Sequence, residues 1–116
     1  MNEKIKEIAE FDGFRVVKRY PAAYGGGEPI TPLITEKLAC KRYLTDLNTL
    51  HKVAMDVMDK LTELFNDTLD GDVFVPVSDL EYNIKRSCYI RPINGEYIDL
   101  FNATIEGIIY LQNHSK

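Results

Sequence analysis

The chain has only two histidines and two cysteines among 116 residues, no excess of basic charge, and no long apolar run. Each shortage excludes something. Cys40 and Cys88 lie far apart with no Cys-x-x-Cys pair, so they read as two reduced, partly buried thiols rather than a disulfide or a zinc site. No apolar run approaches the roughly 20 residues needed to span a bilayer, so no membrane partner is expected. The start, Met-Asn-Glu-Lys-Ile-Lys-Glu, is charged and leads into no secretion core, which gives no signal peptide and a cytoplasmic location as the expectation. A net charge of -4 argues against nucleic acid, whose non-specific affinity comes from lysine and arginine neutralising phosphates. What remains is 45% apolar and 28% charged, the balance of one globular domain with one core, residues 1–116.

The chain is organised around residues 43–65, the longest amphipathic pattern in it. Leu47, Leu50, Ala54, Val57, Leu61 and Leu64 recur at spacings of three and four, with Met58 and Phe65 beside them, so an apolar stripe runs down one side of a helix. Thr45 or Asp46 can accept the free amide hydrogens of its first turn. A shorter helix is expected over 2–11, facing inward through Ile5, Ile8 and Ala9 and stopped at Gly13, where a left-handed residue is cheapest for glycine. Residues 14–20 are rich in β-formers and read as an extended piece or short strand. The stretch 21–32 holds three of the five prolines and three of the seven glycines, which fits neither helix nor central strand and gives a surface excursion. Residues 33–43 leave a turn of helix and an extended lead-in both open. Residues 66–72 form a polar turn cluster.

Two strands are expected next. Val73-Phe-Val-Pro-Val77 has strand composition, with Pro76 confining it to an edge. Over 81–91, Ile84, Cys88 and Ile90 fall on one face and Lys85, Tyr89 and Arg91 on the other, with Arg86 interrupting the apolar side. A turn at 92–95 leads to a last helix, from Tyr97 or Asp99 to Gln112, whose stripe is Leu100, Phe101, Thr104, Ile105, Ile108 and Leu111. Gly107 within it points to close approach of another backbone. The expected fold is α+β: a small antiparallel sheet, from the strands near Val73 and Ile84 and one near Val16, sandwiched with helices.

Three segments in order resemble the phage ABA sandwich domain family. Ile8-Ala-Glu-Phe-Asp-Gly-Phe14 is similar to a helix end of that family, with phenylalanine where its usual tryptophan stands. Tyr43-Leu-Thr-Asp-Leu-Asn-Thr-Leu-His-Lys-Val53 resembles its second segment, and Ala103-Thr-Ile-Glu-Gly-Ile-Ile-Tyr-Leu111 its closing helix. The connection over 15–42 is longer than the family's. The resemblance implies a helix-sheet-helix sandwich encoded in phage or prophage genomes, and it brings no catalytic residues and no cofactor.

No stretch carries the residue types and spacing of a catalytic device. His51 falls at the margin of the long stripe and reads as a boundary histidine; a Cys-His nucleophile pair would need Cys40 or Cys88 to reach it. Asp67, Asp70 and Asp72 resemble the opening of a calcium loop, but counted from Asp67 its twelfth position is Ser78 and not a glutamate. Gly25-Gly26-Gly27 lacks the Gly-Lys-Ser/Thr of a phosphate cradle. The leading expectation is therefore a non-catalytic accessory protein that binds another protein. Its alternative is a single-stranded nucleic-acid binder in which Lys85, Tyr89 and Arg91 on an open strand face track phosphates and stack bases. A weak homodimer is also expected, in contact through Tyr20, Tyr24 and Ile30 of the excursion or through the open edge of the Val73 strand.

Overall fold

The computed structural model describes residues 2–18, 32–92 and 94–114. Helix α1 (Asn2–Phe11) ends at Gly13, whose φ of +93° is the left-handed stop its sequence calls for. Strand β1 (Arg15–Val17) follows, and β2 (Leu33–Thr35) pairs with it in parallel, Val16 opposite Ile34. The stretch 33–43 takes both forms left open for it. After β2, Thr35 caps a short helix α2 (Glu36–Cys40), which runs into a π-helical turn, Lys41–Thr45. Asp46 then caps α3 (Leu47–Thr68), its carboxylate accepting from the Thr49 amide and hydroxyl. A 3-10 turn, Gly71–Val73, leads into α4 (Phe74–Ser87), and α5 (Ile98–His114) closes the chain.

The core lies where α5 meets α1, α3 and α4. From α3 it takes Leu50, Val53, Ala54, Val57 and Leu61, and from α5 Leu100, Phe101, Ile105 and Ile108; Ile5 and Ile8 close it from α1. Thr104 is buried among them and donates its hydroxyl to the Leu100 carbonyl at 2.7 Å, so the apolar stripe admits it without an unpaired polar group. Gly107 sits at the tightest point: a Cβ there would stand 2.7 Å from Val57 Cγ1 and 3.1 Å from Leu80 Cδ1. Close approach at Gly107 is therefore met by side chains of α3 and α4 rather than by a backbone.

The antiparallel sandwich is not formed. Among the described residues the only strands are the two of the parallel pair, and the fold is mostly helical. The strand expected at 73–77 is the end of the 3-10 turn and the start of α4, and the one expected over 81–91 is the rest of α4 and the turn that follows it. Val73, Val77, Leu80 and Ile84 recur at four, three and four, and this row, not the alternation over 81–91, faces the core. Pro76 is no obstacle, because it lies in the first turn of α4, where amides have no carbonyl of their own helix to reach. Arg86, which interrupts the strand reading, points off the helix to Asp99 at 3.7 Å. The helix-sheet-helix sandwich implied by the phage ABA resemblance is overturned with the sheet. Val73 is fully buried in its turn, so it offers no strand edge to a second copy. Residues 21–31 of the excursion, with Tyr24 and Ile30, lie outside the described residues, as does Tyr20.

Candidate functional site

The corner between α3 and α4 departs from local rules in its backbone and in its exposed side chains. Helix α3 ends at Leu69, which takes the left-handed conformation (φ 55°, ψ 28°) while its amide returns to the Phe65 carbonyl at 2.6 Å. Glycine or asparagine is the inexpensive residue there, and a leucine costs on the order of 1 kcal/mol in backbone sterics. Its side chain gains nothing from burial, since Leu69 is 74% exposed. Beside it Phe74 is 53% and Val75 74% exposed, and the Phe74 ring lies 4.6 Å from that of Phe65, one turn before Leu69. Three exposed apolar side chains, a leucine, a phenylalanine and a valine, thus fall within seven residues at one helix corner.

The corner is held in place by hydrogen bonds. Thr68 donates its hydroxyl to the Leu64 carbonyl at 2.8 Å and accepts from the Asp70 amide at 3.4 Å. Asp70 accepts from the Asp72 amide at 3.0 Å and so caps the 3-10 turn. Its charge environment is one-sided: between Lys60 and Lys85 the chain carries Glu63, Asp67, Asp70, Asp72, Asp79 and Glu81 and no basic residue. The last turn of α3, the negative end of its dipole, carries no basic residue of its own. On α5 the Tyr110 phenol is pushed up, first by burial and then by the carboxylates of Asp70 and Asp72.

Farther along α4, Tyr82 and Tyr89 follow Val75 at seven-residue steps and continue the exposed side. Here the structure relocates the basic and aromatic residues expected on a strand face. Lys85 is on α4, paired with Glu81 at 3.0 Å. Tyr89 stands in the turn after it, almost wholly exposed, and Arg91 turns toward α5, where it lines a cavity of about 80 Å³ with Arg86, Tyr97 and Asp99. Lys85 and Tyr89 remain one turn apart; Arg91 leaves them. The strand platform for stacking bases is absent, and two of the cations nearest it, Lys85 and Arg86, are held by carboxylates.

His51 reaches Ser87 across the α3 and α4 interface, Nε2 to Oγ at 2.8 Å. The single Ser87 proton goes to the Ile84 carbonyl at 2.8 Å, so His51 must donate from Nε2, and it acts as a link between helices. Cys40 and Cys88 are both free, with Cys88 directed at the Ile84 carbonyl, and no group of metal-ligating side chains assembles among the described residues. A second concavity of about 610 Å³ lies between α1, α3 and α5, floored by Phe11, Leu64 and Ile108 and rimmed by Glu7, Glu63 and Asp67. No helix of the described residues is long and apolar enough to cross a membrane.

Sequence reasoning passes over Leu69, Phe74 and Val75. The signal available was a lone leucine inside the polar cluster 66–72, and the exposed pair Phe74 and Val75 was absorbed into a strand. No family model, curated protein or solved structure matches this chain, so what it does has to be read from its own residues.

Proposed function

We propose that the chain is a non-catalytic protein-binding module, an accessory protein of the phage or prophage kind that its three resembling segments suggest. The observation that carries the binding role is the corner at Leu69, Phe74 and Val75: apolar side chains within seven residues, exposed, on a backbone fixed by capping. A contiguous exposed apolar patch rimmed by charge is the usual mark of a protein contact. Phage or prophage origin is supported by the resemblance alone, and the binding role does not depend on it.

The test is a photo-crosslinking amino acid at Val75, with the same group at Lys37 on α2 as control, in the protein expressed in its source cells. A discrete adduct of protein mass from Val75 and none from Lys37 is expected. The reading falls if Val75 gives no adduct, or only one that nuclease removes.

A further inference from the structure

The inference deepens the binding reading and rests on it: we infer that the α3 and α4 corner takes a basic amphipathic segment of another protein, an aliphatic side chain seating against Leu69 and Phe74 while lysine or arginine meets Asp67, Asp70 and Asp72. Three independent features converge on this corner. The first is Leu69 itself, a β-carbon residue in left-handed backbone whose side chain is 74% exposed. Glycine would relieve the backbone and lose little buried surface, so the leucine side chain does little to stabilise the monomer. The second is the pair Phe74 and Val75, which extend the exposed apolar area at the start of α4, Phe74 with one side of its ring packed on Phe65. The third is charge. Asp70 and Asp72 have a local reason, since one caps the turn before α4 and the other lies at its start. Asp67, which also stands on the rim of the groove between α1, α3 and α5, has none within its helix: it adds a negative charge to the negative end of α3, where a cation would stabilise the helix.

Violations of local preference that coincide at one place are what a binding site looks like in a chain otherwise consistent with its fold. Here they share one complement. The apolar side chains ask for an aliphatic anchor, and the carboxylates with the α3 carbonyl end ask for cations. A second copy of this chain is a poor occupant, because a twofold contact through the corner would set Asp67, Asp70 and Asp72 against their own equivalents. The groove between α1, α3 and α5 is also acid-rimmed, but it carries Lys60 on its wall. Its apolar floor is recessed between helices rather than raised on an exposed left-handed residue.

The experiment uses the whole chain, labelled with ¹⁵N, and two designed amphipathic peptides, one of leucine and lysine and one of leucine and glutamate. The lysine peptide should shift the amides of Leu69, Asp70, Asp72 and Val75 saturably, with affinity falling as salt rises. Leu69→Gly should weaken it roughly tenfold or more, as removal of an interface anchor does. The same variant should unfold at an unchanged or higher temperature, which separates lost binding from lost fold. Equal binding of the two peptides, shifts centred on the Glu7 and Glu63 groove, or indifference to Leu69→Gly would overturn the inference. If crosslinks from Val75 persist in any of those cases, the binding role stands and the basic partner falls. Amide shifts that depend on the protein's own concentration, without peptide, would instead identify a second copy as the occupant.

Discussion

Tyr43 shows how one residue can fasten two parts of the chain. It is fully buried in the π-helical turn, and its hydroxyl donates to Asp12 Oδ2 at 2.6 Å, beside the stop of α1. Arg42 approaches the same carboxylate at 3.7 Å and lies over the Phe14 ring, 5.1 Å from its centre. Burial, then the hydrogen bond and the charge of Asp12, hold the Tyr43 phenol well above the usual tyrosine value, with Arg42 pulling weakly the other way. The folded state thus keeps this proton longer than the unfolded chain does. Its stabilising contribution is complete below about pH 10 and is lost as pH rises from there toward the folded value. Tyr43→Phe should cost about 1–2 kcal/mol near neutral pH, since a hydrogen bond to a charged acceptor is removed. It should also flatten the loss of stability above pH 10, leaving a smaller slope from Tyr110, whose phenol is raised too. Denaturant titrations at stepped pH measure both effects, and an unchanged alkaline slope in the variant would show that Tyr43 is not its source. None of this partnership was legible in the sequence, because Asp12 and Tyr43 are joined only by the packing of α1 against the π-helical turn.

At the scale of elements, α1, α3 and α5 were readable and α4 was not, for a definite reason. The stripe of α3 is long enough that only a period of 3.6 fits it, and Asp46 marks its start. In α4 the short row misleads: Ile84 and Cys88 are four apart, a separation that suits one helical turn and two strand repeats equally. Val73 to Val77 has strand composition by itself, and only when joined to Leu80 and Ile84 does it show a helical face. Arg86 on the supposed apolar side was the residue that favoured the helix. The parallel pair was readable only as extended pieces, one over 14–20 and one left open over 33–43; their pairing was not, since a parallel pair needs a long connection that leaves no local signature. The junction of α3, α4 and α5 yields a test at Gly107. Alanine there gains about 1 kcal/mol of helix propensity. Against this, its Cβ would stand 2.7 Å from Val57 Cγ1, and valine in a helix has essentially one rotamer, so the neighbour cannot swing aside. Overpacking of this kind costs about 1–3 kcal/mol, so Gly107→Ala should destabilise by about 1 kcal/mol net. A gain in stability by urea unfolding would mean that α5 can move off α3 at little cost.

Over the whole molecule, stability and candidate function are placed at opposite ends of one scale. Helix α5 is the hub, buried through Leu100, Phe101, Ala103, Thr104, Ile105, Gly107 and Ile108, and it contacts α1, α3 and α4 at once. The β1 and β2 pair is three residues long on each side, and α4 buries only Leu80 completely along its length. Amides open in proportion to how much buried apolar contact each opening must break. The slowest native-state hydrogen exchange should therefore come from α3 around Val53 to Leu61 and from α5 around Phe101 to Ile108, close to the free energy of global unfolding. Exchange in β1 and β2 should be faster, and α4 should fall between them, fastest at its Ser87 end. The amides at Leu69 and Val73 are a sharper case, because each is bonded across a turn, to Phe65 at 2.6 Å and Asp70 at 3.3 Å, while the side chains between them at the surface are exposed. If the corner is a preformed docking surface, these two should exchange more slowly than the exposure of Leu69, Phe74 and Val75 alone would suggest. Protection that peaked in the β-pair would displace α5 as the hub. Rapid exchange at both Leu69 and Val73 would mean that the corner is shaped only when its partner arrives.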